Sequence, residues 1–430
     1  MDLLISNINI LLYITALVVT IVLYQKKKRF FDAGSILLFS YLLYSIMSLI
    51  LFNIDNPFYT FEEIRLFPFI YLYLMLMITA APILKYDQSK IQEIEKPGAV
   101  FFNTAIIIFI VSSLIQLPEI ISDFNVNIVK LFASNAGGQD IYDESMSNSI
   151  TNGDGDIANI AAIISNSFGN FGILMFFYYL TFEKKNKLIL IGLSLSVVIG
   201  LFVNISMGQR GPVLEILLSF IITYFALRKF MSEKTIKTIK YIGIFLIVAV
   251  SVPFIALTNS RFEDADGGSL TSVYYYAGQE NLFFNNYGLD DGGIRYGDRT
   301  FPFFKSLMGY ENIPQNFWER REKYPELKIN DEVFIGFIGD FTLDFGPVLP
   351  PIIFIIFTLF VLNKTKVKDE TIYFHQIILI HFVMIVCMLG GLKLYPFSDV
   401  GGNLQLIVYF LAYQAFKIDH FIKRQHRSLN

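Results

Sequence analysis

Long apolar stretches alternate with short polar segments along almost the whole chain. A bilayer core about 30 Å thick needs about 20 apolar residues per helix, and about eleven stretches come near this length. They cover residues 3–24, 32–53, 66–85, 100–117, 157–182, 188–207, 212–228, 241–259, 347–363, 371–393 and 403–417. The pattern predicts an all-α polytopic membrane protein, with residues 1–430 forming a single integral membrane domain.

Composition agrees with this fold class. Of the 430 residues, 54% are hydrophobic and 17% are charged, and the mean hydropathy is +0.52. These values are too apolar for a soluble domain of this length. The single cysteine, Cys387, lies inside an apolar stretch, which excludes a disulfide framework within one chain. We expect no nucleic-acid partner.

Basic clusters fall in alternate connections between the apolar stretches, which predicts the topology. The clusters are QKKKRF, the 85–97 segment with Lys85, Lys90 and Lys96, EKKNK, RKFMSEKTIKTIK, NKTKVK and the tail KRQHR. By the positive-inside rule these connections are cytoplasmic. They all lie on one side if the chain has about eleven spans, an external N-terminus and a cytoplasmic C-terminus.

The opposite side then holds two long segments, an external loop at 118–156 and a large external loop at 260–346. Because most connections in compact proteins are only a few residues long, the large loop is expected to carry part of the active site. Arginine is enriched on this side, and its planar fork of donors suits phosphate and carboxylate groups. The external arginines are Arg65, Arg210, Arg261, Arg295, Arg299, Arg320 and Arg321. The alternative is that they pair with acidic residues of the same loops, and we favour this for Arg320 and Arg321.

Arg210 lies in MGQRGPVLE, a very short polar gap between two apolar stretches. Gly208 and Gly211 flank it, and Pro212 is suited to the first position of the next helix. Backbone N–H groups and a helix N-terminus would then face an anion beneath the arginine. Alternatively, Arg210 contacts lipid headgroups or pairs with Glu215.

The large loop supplies the candidate carboxylates and an aromatic segment. Asp340 and Asp344 are spaced to share one face of a helix, and Glu280 is the other candidate base. The alternative for Asp344 is that it caps a helix or pairs with an arginine. Aromatic rings beside amide side chains suit a sugar, although the same rings could form an interfacial belt. The aromatic candidates for sugar binding are Tyr274, Tyr275, Tyr276 and Tyr287.

Two local motifs carry a family resemblance. SMGQRGPVLE between two helices, a large external loop, and then FIGDFTLDFGPVLPPI resemble the bacterial Wzy-type oligosaccharide repeat-unit polymerases of O-antigen and capsule synthesis. The resemblance extends to helix count and loop layout, and it implies a GT-C-like polymerase or ligase architecture. It also implies a multi-pass protein of the bacterial cytoplasmic membrane, with an active site facing the periplasm or exterior. Of the family's site residues, only Arg210 is carried over, by its position in the motif.

The resemblance implies a polysaccharide repeat-unit polymerase. Such an enzyme transfers a growing glycan from undecaprenyl pyrophosphate to the non-reducing end of a lipid-linked repeat unit. Its partners would be undecaprenyl-pyrophosphate-linked oligosaccharides, with a chain-length regulator and a flippase of the same pathway. An O-antigen ligase using the same donor is an alternative that the resemblance leaves open.

The departing pyrophosphate needs stabilisation by a metal or by fixed cations. Because the predicted external segments contain no histidine and no carboxylate cluster with metal-ligand spacing, we expect a metal-independent glycosyltransferase without a cofactor. Arg210 and Arg261 are the first candidates for this role, followed by Arg295 and Arg299. A carboxylate would then act as the general base, for which we consider Asp344, Asp340 and Glu280.

Two further function classes are kept as alternatives. Glu62 and Glu63 in TFEEIRLF form an acid pair of the kind found in lipid-phosphate-dependent glycosyltransferases, but the predicted topology does not fit that class. A flippase or transporter of lipid-linked oligosaccharide is the other, although we detect no duplicated halves, and transport does not need so large a loop.

Overall fold

The computed structural model describes residues 2–27, 31–54, 59–133, 141, 157–207, 209–244, 251, 268–329, 333–367 and 369–429. Among them, five helices are long and apolar enough to cross a membrane, or six if a bent pair is counted as one span. Two shorter apolar helices, Leu349–Lys364 and Phe374–Gly390, come later in the chain. The protein is therefore an all-α protein whose apolar helices embed it in a membrane.

The helices follow the apolar pattern of the sequence closely. In chain order the longer ones are Asp2–Lys27, Ala33–Asn53, Leu66–Lys85, Ala99–Ile115, Leu117–Ala133, Ile157–Tyr179, Lys187–Ser206, Arg210–Leu227, Gly268–Phe283, Gly336–Phe345, Leu349–Lys364, Phe374–Gly390 and Asp399–Leu429. Two short helices are Pro302–Leu307 and Phe317–Lys323, and the single-turn segments are Gln88–Lys90, Arg228–Phe230 and the π-helical Phe284–Gly288. Each predicted span other than 241–259 coincides with a helix, and most of 241–259 lies outside the described residues.

The chain divides into two compact units, a division that the hydropathy pattern does not mark. The first unit contains residues 1–95 and 270–413, and the second contains residues 96–269 and 414–430. Phe374–Gly390 is the core helix of the first unit, since it is buried at nearly every position. Two short strands, Glu93–Glu95 and Thr371–Tyr373, pair in parallel in the same unit.

In the second unit, the predicted external loop at 118–156 begins with a helix, Leu117–Ala133, which the sequence analysis did not anticipate. This helix is bent by 45° from the preceding helix, Ala99–Ile115. Its apolar side packs on the helix Lys187–Ser206, with the rings of Phe124 and Phe202 in edge-to-face contact at a centroid distance of 4.9 Å. Most of the rest of this loop lies outside the described residues.

Candidate functional site

The candidate site is built around Gly336–Phe345, called here the acid helix. Gly336 begins the helix with φ of +76°, and Gly346 follows its last residue with φ of +73°. Both ends therefore use a backbone conformation that glycine adopts most readily. Asp340 and Asp344 lie one turn apart and both are fully buried. The predicted shared helix face is confirmed, because both carboxylates contact the same arginine, Arg295.

Two arginines form an ion cluster with this pair of carboxylates. Arg295 Nη2 lies 3.2 Å from Asp340 Oδ1, and Arg299 Nε lies 3.1 Å from the same oxygen. Arg295 Nε lies 2.7 Å from Asp344 Oδ1, but its N–H does not point at the oxygen, so this attraction is Coulombic rather than a hydrogen bond. All four side chains are nearly or fully buried, so the charges compensate one another away from water.

The second oxygen of each carboxylate, Oδ2, accepts hydrogen bonds. Asp344 Oδ2 accepts hydrogen bonds from the amide and hydroxyl of Thr300, both at 2.7 Å. Asp340 Oδ2 accepts the amide of Tyr395 at 2.8 Å. Burial raises the pKa of Asp340, while Arg299, Arg295 and this amide counteract the shift. Since each oxygen has a partner, the pairing alternative describes Asp344 and Asp340 better than a free general base does.

Contacts of Asp298 hold the segment from Arg295 to Arg299 in place. The buried carboxylate of Asp298 pairs with Lys305 and Lys323 and accepts the hydroxyl of Tyr324 at 2.7 Å. The Tyr324 hydroxyl also lies 3.0 Å from the carbonyl oxygen of Arg295. Burial raises the pKa of Asp298, but its hydrogen bonds from the lysines and the tyrosine outweigh this and leave the pKa lowered.

The segment after the core helix closes the cluster from the other side. Asn403 Nδ2 donates to the carbonyl of Thr300 at 2.8 Å, and the amide of Asp399 donates to the carbonyl of Arg299 at 2.9 Å. Arg320 is buried and pairs with Asp399 at 2.9 Å, so its partner is an acidic residue outside its own loop, and not within it as the pairing alternative had it. Residues far apart in sequence therefore hold the cluster rigidly.

Glu280 differs from the acid-helix carboxylates in having no cation beside it among the described residues. Its side chain is 2% exposed, and Oε2 has no hydrogen-bond partner in the described part of the chain. Burial alone raises the pKa of Glu280 well above its ordinary value. The electrostatic neighbours of Glu280 include Tyr13, Tyr41 and Tyr44. Glu280 is thus a buried carboxyl group with a raised pKa and no ion-pair partner among the described residues.

Two glycines bring Glu280 to this position. A Cβ on Gly278 would lie 2.6 Å from the backbone of Met47, so only glycine lets the Gly268–Phe283 helix approach Ala33–Asn53 this closely. The Ser48 hydroxyl bonds the carbonyl of Gly278 at 2.8 Å. At the start of the acid helix, a Cβ on Gly336 would overlap Glu280 Oε1. Glu280 therefore lies directly over the first residue of the acid helix.

The acid helix consequently presents three positions along one face. Gly336, Asp340 and Asp344 are spaced four residues apart, which corresponds to a rise of about 6 Å per step. Glu280 lies over the first position, both arginines contact the second, and Arg295 and Thr300 contact the third. Glu280, whose Oε2 has no partner among the described residues, thus lies one turn from a charge-compensated cluster of two arginines and two aspartates.

The predicted sugar-binding tyrosines contribute mainly to packing. Tyr275 and Tyr287 both contact the ring of Phe283, at centroid distances of 6.3 and 6.5 Å. Tyr276 packs edge-to-face on Phe334 at 5.4 Å. Tyr274 is half-buried, with no ring contact found in the described part of the chain. Three of the four tyrosine rings therefore pack against phenylalanine side chains in edge-to-face or tilted geometry.

The predicted arginine nest belongs to the second unit, and the structure describes part of it. Arg210 is the first residue of the helix Arg210–Leu227, so this helix begins two residues before Pro212, the predicted start. Gly211 is the second residue and is half-buried. The side chain of Arg210 lies outside the described part of the structure, as do Gly208 and Arg261.

Comparison with known proteins gives no relative: no family model matches the chain, and neither do curated proteins or solved structures. Among the described residues, no three His, Cys, Asp or Glu side chains lie close enough together to hold a metal ion.

Sequence reasoning did not identify several residues that complete the site. The backbone amide of Tyr395 and the side chains of Thr300 and Asn403 carry no sequence signal for their roles. Asp291, in the turn segment LDDGG, is buried although turn carboxylates are usually exposed. The two adjacent glycines that follow it were the available signal, because they permit another segment to pack directly on the turn.

Proposed function

We propose that this protein is a polysaccharide repeat-unit polymerase of the bacterial cytoplasmic membrane. It would transfer a growing glycan from undecaprenyl pyrophosphate to the non-reducing end of a lipid-linked repeat unit. The observation that carries the proposal is Glu280, a buried carboxyl group whose Oε2 has no hydrogen-bond partner among the described residues, on a helix packed closely against Ala33–Asn53. A general base for a sugar hydroxyl needs this kind of raised pKa.

Glu280 performs the proton transfer in this mechanism. The acceptor hydroxyl oxygen attacks the anomeric carbon of the donor glycan while Glu280 takes the hydroxyl proton. The bond between that carbon and the pyrophosphate oxygen breaks, and undecaprenyl pyrophosphate leaves with the bonding electrons. The acid helix contacts Glu280 through Gly336, and the charge-compensated cluster of Arg295, Arg299, Asp340 and Asp344 holds that helix in place.

Arginines of the external segments would bind the pyrophosphate. Arg210 and Arg261 are our first candidates, because Arg295 and Arg299 are each already paired with a carboxylate of the acid helix. The start of a helix at Arg210 supports this role, since a helix N-terminus carries partial positive charge. The proposed transfer is metal-independent, with no cofactor.

We propose the predicted topology of about eleven spans, with the N-terminus outside and the C-terminus in the cytoplasm. Contacts between segments predicted to share a side support it. On the external side, Asn285 exchanges two hydrogen bonds with the backbone of Arg65, at 2.7 and 2.8 Å. On the cytoplasmic side, the strands Glu93–Glu95 and Thr371–Tyr373 pair, and Lys423 bonds the carbonyl of Lys96 at 2.9 Å.

The test is extension of lipid-linked repeat units by the purified full-length protein in nanodiscs. A polymerase produces ladders of longer lipid-linked glycan without added nucleotide, and these ladders persist in EDTA. A ligase needs a second acceptor and yields no ladder, whereas a flippase moves the lipid-linked unit across liposomes without lengthening it. Absence of ladders with the organism's own repeat unit contradicts the proposal.

The role of Arg210 is tested separately with Arg210→Lys. Lysine keeps the positive charge but loses the bidentate fork, so we expect a strong loss of polymerisation with normal membrane insertion. Glycan ladders of unchanged length in this variant would remove Arg210 from the site and leave the rest of the proposal in place.

A further inference from the structure

A surface cavity of about 310 Å³ lies beside the turn that follows the π-helical segment of the first unit. Its lining includes Asp290, Asp291, Tyr296, Glu326 and Thr342, together with glycine backbone and apolar side chains. The volume is at the lower end of the range for small-molecule sites, about 300 to 1,000 Å³. No lysine or arginine is among the described residues that line it, so the described lining offers no cation to a phosphate.

Asp291 contributes a buried carboxylate to the lining of the cavity. Its side chain is 3% exposed and lines the cavity. Oδ1 accepts the amide of Ile329 at 2.9 Å, while Oδ2 has no partner within the described residues. A buried acceptor without a partner loses the hydrogen bonds it would make in water. A donor from a bound molecule would restore one of them.

The backbone around Asp291 is shaped by glycines. Gly292 has φ of +89°, and a Cβ there would lie 2.7 Å from the carbonyl oxygen of Glu326. A Cβ on Gly293 would lie 2.9 Å from the Cγ of the same glutamate. These glycines allow the Glu326 segment to form one wall of the cavity at short range.

Tyr296 adds an aromatic surface to this acidic cavity. Its side chain is 65% exposed, and no contact of its ring with another aromatic ring or a cation is found in the described part of the chain. Its φ of +53° is uncommon for an aromatic residue. An exposed ring beside hydrogen-bond acceptors suits a sugar, whose faces are apolar and whose edges carry hydroxyl donors.

We propose that this cavity binds one uncharged sugar ring, with Asp291 accepting a hydroxyl and Tyr296 covering one face of the ring. A divalent cation fits less well, because the described carboxylates here do not converge as metal ligands do. Asp290 is also partly engaged, since it pairs with Lys328 at 3.2 Å. The assignment goes beyond the proposed function, because binding here requires no transfer reaction.

The experiment is saturation-transfer NMR on the full-length protein in nanodiscs, without any lipid-linked donor. The probes are the methyl glycosides of glucose, galactose, mannose and N-acetylglucosamine. We expect transfer to the ring protons of at least one probe, reduced at least five-fold in both Asp291→Asn and Tyr296→Ala. Tyr296→Phe is the matched control and should retain the transfer, because it keeps the ring.

Two outcomes would overturn the assignment. One is that no probe shows transfer, or that transfer persists in both Asp291→Asn and Tyr296→Ala. The other is calcium binding by calorimetry that disappears in Asp291→Asn, which would make the cavity a cation site. The binding assay measures no turnover, so it is independent of the extension assay. Sugar binding without glycan extension would refute the polymerase and keep this site. Glycan extension without sugar binding would refute this site and keep the polymerase.

Discussion

The carboxylates of the acid helix and Glu280 lie along the same helix face but in opposite electrostatic situations. Asp340 and Asp344 are fully buried, and each of their oxygens contacts an arginine, an amide or a hydroxyl. Glu280 is equally buried, yet its Oε2 has no partner among the described residues. Burial alone therefore does not decide the role of an acid. The two aspartates are compensated by contacts within the fold, whereas Glu280 is desolvated with no described partner for its Oε2.

The comparison is tested most strongly by Glu280→Gln. The amide keeps the shape of the side chain but cannot take a proton, so we expect glycan extension to fall about 10²–10⁴-fold with little loss of stability. The measurement is the extension rate of lipid-linked repeat units in nanodiscs. Glu322→Gln, at an exposed carboxylate of the same unit, is the control and should match the wild type. Equal rates for all three proteins would exclude Glu280 as the base.

Asp340→Ala should give the opposite result, a loss of stability. Its removal leaves Arg295 and Arg299 buried without one of their carboxylates, and breaking such a pair costs about 3–5 kcal/mol. Thermal unfolding in detergent, followed beside Glu280→Gln, measures this difference. If Glu280→Gln lowered the unfolding temperature as much as Asp340→Ala, the distinction between paired and unpaired acids would be wrong.

Gly278→Ala sharpens the comparison by moving the helix that carries Glu280 while leaving the acid helix unchanged. The added methyl group would meet the backbone of Met47 and Ser48, which cannot rotate away, so we expect a loss of about 1–3 kcal/mol. Unfolding measurements should show no such loss for Gly401→Ala, where no atom lies within 4 Å of the added Cβ. Similar behaviour of both variants would contradict the close helix contact.

The smallest expected effect concerns Asp291, whose buried Oδ2 has no hydrogen-bond partner among the described residues. Burial raises the pKa of Asp291 from 3.8 to about 7, opposed chiefly by the Ile329 amide and Arg295. A carboxyl with a raised folded-state pKa contributes stability below about pH 4, and this contribution is lost as the pH rises towards 7. Relative to Asp291→Asn, the wild type should therefore lose stability across this window. A constant difference in unfolding temperature between pH 4 and 7 would contradict the shift.

Much of the fold could be predicted from the sequence because apolar periodicity and length are local properties. Ala33–Asn53 and Leu66–Lys85 match the predicted spans 32–53 and 66–85 almost residue for residue. The helix Leu117–Ala133 was not predicted, since its apolar residues are interrupted by polar ones and do not form a continuous apolar stretch. The division into two units was also not predictable, because it depends on which distant helices contact one another.

The candidate site was predicted in composition but not in arrangement. The four-residue spacing identified Asp340 and Asp344 as a pair on one helix face, and residue type identified Arg295 and Arg299 as secondary candidates for stabilising the pyrophosphate. Spacing along one helix cannot show which of these charges neutralise each other, and the structure pairs them. The spacing also could not show that Glu280 faces Gly336, because these residues are 56 positions apart in the chain.

By itself the sequence determined the class of protein, the positions of most helices and the residues able to carry charge chemistry. These follow from the cost of exposing polar backbone in lipid and from the fixed periodicity of a helix. Only the tertiary structure decided which acids have partners. The amide of Tyr395, the hydroxyl of Thr300 and the absence of a side chain at Gly278 and Gly336 set those environments. Pairing and desolvation depend on distances between remote segments, which no local pattern encodes.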